Sequence, residues 1–331
     1  MKKRILTGDR PTGKLHLGHY VGSLENRVKM QHEYDTFIMV ADVQALTDNY
    51  NNPEKVRENI LETAIDNLAV GIDPKVSKIF IQSLIPEIAE LTIFFMNIIK
   101  HAEVLRNPTV KTEIEQKNFK EGVPFGFVAY PISQAADIHF LRADVVPVGE
   151  DQAPMIELAN LAKKRFNSIY KTEIFHEIKG VYSNMPRLIG TDGNAKMSKS
   201  LGNTIYLGDS PDEVAIKVKK MYTDPRRLRA TDPGKVEGNP VFIYHDAFNT
   251  NVDEVDDLKN RYKKGQVGDV EVKDKLSIAI NNFLDPIREK RNYYETHKDE
   301  VIDILEDGKK AAKNEGEKTM ELVREAMKIN Y

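Results

Sequence analysis

The chain has 331 residues, 40% hydrophobic and 30% charged, so two domains are expected, and its net charge of −3 advertises no nucleic-acid partner, although an acidic total can conceal a basic face. No apolar stretch reaches the roughly 18 residues that cross a bilayer, and Met-Lys-Lys-Arg leads into a strand without a cleavable signal, so a cytoplasmic protein with no membrane partner is expected. The absence of cysteine excludes disulfides and thiolate zinc sites, and none of the eight histidines pairs with a carboxylate in the manner of a metal cage.

The first predicted elements flank Thr7 to His19, read as Thr-Gly-Asp-Arg-Pro-Thr-Gly-Lys-Leu-His-Leu-Gly-His. Apolar Ile5 and Leu6 precede it, and Leu17, Tyr20, Val21, Leu24 and Val28 follow at helical spacing, which gives strand, glycine-rich turn, helix. Gly8 and Gly13 free the turn, and the helix N-terminus behind it offers unpaired N–H groups and partial positive charge to an anion. The stretch lacks the spaced glycines of a dinucleotide fingerprint and the Gly-Lys-Ser/Thr ending of a P-loop. His16 and His19, one turn apart, can face one ligand, with Gly18 between them admitting a flat group to the backbone; the bland alternative is a solvated pair capping a helix.

Asp35 to Asp42 reads as a buried strand, and Pro53 to about Val70 as a helix with Asn52 as its cap, Pro53 in its first turn and Gly71 ending it. Lys78 to Gln82 and Asp144 to Gly149 supply two more strands, with helices between. This alternation predicts an α/β fold, a doubly wound parallel sheet, which binds ligands at the carboxyl ends of its strands. Ile88 to Ile99 is apolar on nearly every face and needs cover on two sides, from a central core or from a second subunit, with a homodimer the expectation. Arg106 to Gly122 is polar and reads as a mobile insertion over the site.

Tyr130-Pro-Ile-Ser-Gln-Ala-Ala-Asp-Ile138 predicts a helix with Pro131 in its first position and with Gln134 and Asp137 on one face. A buried carboxylate is costly without a polar partner, so Asp137 is either tied to another part of the fold or kept for a ligand donor, and the ligand is the expectation. Val145-Val-Pro-Val-Gly-Glu-Asp-Gln152 ends a strand in glycine and acidic residues where the sheet meets its crevice. Much farther on, Lys196-Met-Ser-Lys-Ser200 follows Gly193-Asn194 and sets two lysines where they can meet a polyphosphate.

Beyond it the pattern turns helical, with a capping box at Ser210-Pro-Asp-Glu213 and turns at Asp232-Pro-Gly234 and Gly265. Lys217, Lys219, Lys220, Arg226, Arg227 and Arg229 form one basic cluster, and Arg288-Glu-Lys-Arg-Asn-Tyr-Tyr294 mixes bases with aromatics. Each is either a solvated face or a surface for phosphate contact and base stacking.

Taken together, His-Leu-Gly-His and Lys-Met-Ser-Lys-Ser resemble the paired signature of class I aminoacyl-tRNA synthetases. Tyr130-Pro, Ala-Ala-Asp-Ile138 and Val-Pro-Val-Gly-Glu-Asp-Gln152 narrow the resemblance to the tryptophanyl family, in the subgroup that also holds tyrosyl enzymes, along most of the chain. It implies a Rossmann-type catalytic domain over residues 1–206, with an inserted helical dimer and lid segment near 84–130, and a helical anticodon-binding domain over 207–331. The implied reaction activates L-tryptophan with ATP, accompanied by Mg2+ and no tightly bound cofactor. Tryptophan then passes to the 2′-hydroxyl of the terminal adenosine of tRNA(Trp).

The resemblance also implies roles residue by residue. Arg10, Pro11, Thr12, Gly18 and His19 touch ATP, with His16 near the phosphates; Gly149, Glu150 and Asp151 approach the nucleotide, and Arg187 and Leu188 lie by the adenine. Lys196, Met197, Ser198, Lys199 and Ser200 close over pyrophosphate, so that His16, His19, Lys196 and Lys199 carry the catalytic charge. Asp137 accepts the indole N–H. Tyr130 and Gln152 line the amino-acid site with Gly8 and Gln134 beside them, and Leu6, Val146 and Val148 form its apolar walls.

Three positions depart from the family. Arg10 stands where glutamine is common, His19 where asparagine is frequent, and Gln134 where methionine is familiar. Gln134 with Asp137 also resembles the pair that holds a phenol hydroxyl in archaeal-type tyrosyl enzymes, which keeps tyrosine open as the amino acid. A cytidylyltransferase-type enzyme shares the His-x-Gly-His turn without the lysine loop, and a non-catalytic RNA-binding relative has no use for both motifs.

Overall fold

The computed structural model describes residues 2–117, 119, 122–182, 188–193, 197–225 and 227–331, and of Glu150 and Ser200 the backbone. These fall into two compact units. One comprises residues 1–13, 26–184 and 297–331, the other 14–25 and 185–296. The units therefore divide the chain differently from 1–206 and 207–331.

The first unit is built on a five-stranded parallel sheet in the order β3-β2-β1-β4-β5, from β1 (Arg4–Asp9), β2 (Asp35–Val40), β3 (Ser77–Ile81), β4 (Val145–Val148) and β5 (Lys179–Tyr182). The first four coincide with the apolar runs in the sequence. β5, Lys-Gly-Val-Tyr, has no such run because it is an edge strand with exposed ends. In register, Leu6 sits opposite Phe37 and Ile5 opposite Val145, so the reversal of strand order falls between β1 and β4. A ligand crevice in such a sheet opens at the carboxyl ends of those two strands.

The helical turn α1 (Leu17–His19), a π-helical stretch (Tyr20–Leu24) and α2 (Glu25–Met30) follow β1. α3 (Asp42–Leu46) and α4 (Pro53–Ala69) follow β2, and α4 is capped by Asn52, which accepts from Lys55 N–H as its Asn-Pro start predicts. α5 (Pro86–Met96), α6 (His101–Arg106), α7 (Pro108–Lys117) and α8 (Phe125–Phe140) separate β3 from β4, and α9 (Ala153–Tyr170) leads to β5.

One expectation changes here, the place of Pro131. Residues 108–117 form a helix, whose start is set by Asn107, which accepts from Thr109 N–H at 3.0 Å and donates to the Pro154 carbonyl at 3.0 Å, with Pro108 in the first turn. Pro131 lies inside α8 rather than at its start; burial of Phe127 and Ala129 holds the preceding turn helical. The apolar α5 is covered within the chain by α8 and by the last helix, α14 (Lys298–Met327), while Ile93 stays 56% exposed and Phe125 at the start of α8 74%.

α14 belongs to the sheet unit. Its Gly308, Ala312 and Gly316 form a smooth stripe at four-residue spacing that lets the helix lie directly on β3. A Cβ on Gly308 would stand 1.8 Å from the Ile79 carbonyl oxygen, so only glycine fits. Arg324 Nε on the same helix pairs with Glu90 at 2.9 Å.

The second unit is helical, with α10 (Pro211–Lys219), α11 (Pro240–Phe248), α12 (Val252–Lys263) and α13 (Asp269–Thr296). α10 starts with the predicted capping box, Ser210 with Glu213. α13 packs against α10 and α11 over Val214, Val218, Phe242, Leu276, Ile280 and Leu284.

Candidate active site

In the second unit the two signature motifs meet. Leu15 and Leu17 are buried anchors, and they pair with the chain that leaves the lysine loop: Leu17 N–H donates to the Ile205 carbonyl at 3.0 Å and Leu207 N–H to the Leu15 carbonyl at 3.0 Å. Between them His16 bridges Tyr206. Gly18 N–H donates to the Met197 sulfur at 3.3 Å, and a Cβ on Gly18 would come within 3.0 Å of the His16 ring. The glycine thus admits the His16 ring and Met197 close to the backbone of α1.

The His16 and His19 rings are 3.8 Å apart and tilted by 44°. His19 Nδ1 accepts the His16 backbone N–H at 3.2 Å, which requires an unprotonated Nδ1 and puts the proton of the neutral ring on Nε2. Met197, buried, donates its own N–H to the carbonyl of buried Leu188 at 3.4 Å. Lys199 and Ser200 lie in the turn Lys199–Leu201, which Gly202 closes in the left-handed region at φ 66°. Arg187, Asn194, Lys196 and Arg226 lie outside the described residues.

In the first unit, Arg10 follows β1, and its carbonyl accepts from Thr12 N–H at 2.8 Å beside buried Pro11. The end of β1 is held from beneath. Asp9 forms a buried double ion pair with Arg27, whose Nη2 meets Oδ1 at 3.0 Å, and Asn67 donates to the same carboxylate at 3.1 Å. Arg10 pairs with the buried carboxylate of Asp48, which Lys117 from α7 also engages. The Arg10 Nε is buried without a partner among the described residues. Gly8 serves packing, since a Cβ there would stand 2.6 Å from the Met39 carbonyl oxygen.

Asp137 lies fully buried on α8, tied to the fold on both sides. Gln82 Nε2 donates to one carboxylate oxygen at 2.7 Å, and Gln44 Nε2 donates to the other. Burial pushes its carboxyl up to about 7, the two amides pull it back down, and nearby Asp42 adds to the rise. Gln134 pairs with Gln152 at 3.4 Å, so Gln134 and Asp137 have different partners. Tyr130 donates to Glu113 of α7 at 2.7 Å, and burial followed by that neighbouring charge raises its hydroxyl pKa. Leu6 and Val146 belong to the core with Phe37, Phe80 and Ile132, and Val148 sits at its margin.

After β4, Gly149 accepts from Gln152 N–H at 2.9 Å across the turn Glu150–Gln152, and the Asp151 carbonyl accepts from Thr109 at 2.8 Å. Sequence reading missed Gln44, Gln82, Asp48, Glu113 and Lys117. The first two carried a signal, because each is a polar residue at or just beyond the carboxyl end of a predicted strand.

The basic clusters split. Arg227 is buried, donating to the Ala230 and Asp232 carbonyls at 2.6 and 2.7 Å and to Asp269 at 2.9 Å. Arg291 is buried and paired with Glu295 at 3.0 Å, and Lys217 is paired with Asp209 at 2.6 Å. Lys219, Lys220, Arg229 and Tyr293 are exposed.

The family model described as tRNA synthetases class I (W and Y) matches residues 1–285. The chain is 51% identical over 334 residues to a tryptophan–tRNA ligase of Clostridium longisporum, covering 100% of this chain and 98% of that protein. It is also 51% identical over 337 residues to one of Streptococcus mutans, covering 100% and 99%. A crystal structure of tryptophanyl-tRNA synthetase from Campylobacter jejuni complexed with ADP and tryptophan superposes with a TM-score of 0.86 at 29% identity, covering 98% of this chain and 99% of that one. A tyrosyl-tRNA synthetase from Archaeoglobus fulgidus, at 22% identity and a TM-score of 0.68, shares the fold.

Proposed function

Since this chain belongs to the class I tRNA synthetases for tryptophan and tyrosine, we propose that it ligates tryptophan to tRNA with ATP, each signature motif acting on the nucleotide and Asp137 on the amino acid. The tryptophan carboxylate oxygen attacks the α-phosphorus of ATP, whose bond to pyrophosphate breaks. The tRNA 2′-hydroxyl then attacks the aminoacyl carbonyl, and AMP leaves. No side-chain nucleophile is required; the protein positions the reactants and neutralises phosphate charge.

The observation that carries this reading is the meeting of motifs 179 residues apart, with Gly18 N–H on the Met197 sulfur. On this reading His16, Gly18, His19 and Lys199 of the second unit act on the nucleotide, and the family resemblance assigns it further contacts from Arg10, Pro11, Thr12, Gly149, Glu150, Asp151, Arg187, Leu188, Lys196 and Ser200. Mg2+ enters with ATP as part of the substrate. Each oxygen of Asp137 has accepted one amide N–H and keeps a second acceptor position, which suits the indole N–H. Tyr130, Gln134 and Gln152 line the amino-acid site on this reading.

The exposed Ile93 and Phe125 support a homodimer through the α5 face, and the exposed Lys219, Lys220, Arg229 and Tyr293 a tRNA surface on residues 207–296. The enzyme works in the cytoplasm. The test is ATP–pyrophosphate exchange with the amino acids presented singly. Tryptophan alone should stimulate it; stimulation by tyrosine alone would overturn the assignment. As the chain contains no tryptophan, bound substrate is also its only indole and reports binding by its fluorescence.

A further inference from the structure

We propose that Asn203 is a positioning residue for ATP activation, clasping the two arms of the lysine loop with one side-chain amide. The inference rests on the assignment of Lys199 to the ATP phosphates. Asn203 is buried, and its Oδ1 accepts the Ser198 N–H at 2.8 Å while its Nδ2 donates to Asp192 Oδ1 at 3.0 Å. Its backbone carbonyl accepts from Thr191 N–H at 3.0 Å. The arm that enters the loop and the arm that leaves it are thereby joined through one residue.

The entering arm is shaped to receive this amide. A Cβ on Gly190 would lie 2.0 Å from Asn203 Nδ2 and 2.5 Å from its Cγ, so the glycine is the socket. Ser198 immediately precedes the turn Lys199–Leu201, and fixing its N–H fixes where that turn starts and therefore where Lys199 is presented. Met197, the residue before, is fixed by Gly18 and Leu188. Asn203 adds a hold at the next peptide N–H, that of Ser198.

Only an amide serves both partners. Alanine serves neither. Aspartate keeps the acceptor for Ser198 and loses the donor, and it sets a second carboxylate against Asp192. Exchanging the two residues restores a donor and an acceptor in reversed order.

The experiment compares wild type with Asn203→Ala, Asn203→Asp and the double variant Asp192→Asn/Asn203→Asp. It measures tryptophan-dependent ATP–pyrophosphate exchange over a range of ATP, and tryptophan binding by substrate fluorescence. Both single variants should lower kcat/KM for ATP by at least about tenfold, with tryptophan affinity held within about twofold, and the double variant should recover most of the loss. Tryptophan binding separates positioning from mere folding, because a general structural defect weakens it along with ATP use. Unchanged exchange in Asn203→Ala, equal loss of tryptophan binding, or no recovery in the double variant would overturn the inference while wild-type exchange leaves the ligase reading intact. A wild type without exchange overturns both.

Discussion

The two units hold their candidate site residues by opposite means. In the first unit buried carboxylates are paired side chain to side chain: Asp9 with Arg27, Asp48 with Arg10 and Lys117, Asp137 with Gln44 and Gln82. In the second unit the motifs are held mostly through the backbone, Leu15 and Leu17 against Leu207 and Ile205, Ser198 against Asn203. Losing one member of a buried charge network leaves its partner uncompensated, while replacing a side chain that only projects from a backbone-held turn, such as Lys199, removes that group alone.

The hardest test of this contrast is Arg27→Leu, which leaves the Asp9 carboxylate buried beneath β1 without its cation. Breaking a buried pair in this way costs about 3–5 kcal/mol, so urea unfolding should show a loss of that order. A loss below about 1 kcal/mol, the level of an exposed pair, would show that the network does not support β1.

Asp137→Ala should weaken tryptophan binding by about 1.5–3 kcal/mol, the range for a hydrogen bond to a charged group, as read by substrate fluorescence. The pH dependence has a definite sign. The folded carboxyl sits near 7, above the ordinary value of about 3.9, so the native state binds the proton more tightly than the unfolded chain. Its contribution to stability is full below about pH 4 and falls as pH rises toward about 7. The stability of Asp137→Asn should lack this decline, and parallel curves for variant and wild type would remove Asp137 as its source.

Gly308→Ala tests the first unit through packing alone. Its methyl would meet the Ile79 carbonyl oxygen at 1.8 Å, and α14 must shift off β3, with a cost of about 1–3 kcal/mol for overpacking. A thermal midpoint equal to wild type would mean that α14 is not seated by that glycine.

The smallest expected effect falls in the second unit. Lys199→Ala should slow adenylate formation at least tenfold, about 1.4 kcal/mol, in single-turnover kinetics, with tryptophan affinity nearly unchanged. A rate equal to wild type would take Lys199 out of the phosphate site.

Legibility followed the same division. His16, Gly18, His19, Met197 and Lys199 stand in contiguous motifs whose residue types name their chemistry, and the strands β1 to β4 are apolar runs between turn signals. The partners of Asp137 and Arg10 are scattered: Gln44, Gln82 and Asp48 each follow a different element, and nothing local pairs them. The Asn107-Pro108 start of α7 carried the same capping signal as Asn52-Pro53, yet the polar content of 106–122 concealed a helix that needs only Val110 buried. Basic residues misled in the other direction, because Arg227 and Arg291 spend their charge inside the second unit.

By itself the sequence determined the alternation of strands and helices, the caps of α4 and α10, and the two signature motifs, since periodicity, capping and motif chemistry act over a few residues. Tertiary structure alone decided that α14 returns to the sheet, that Asp137 is held by Gln44 and Gln82, and that Gly18 meets Met197. The physical reason is that a buried polar group or a glycine stripe specifies only that a partner is required. Which partner meets that requirement depends on the path of the whole chain.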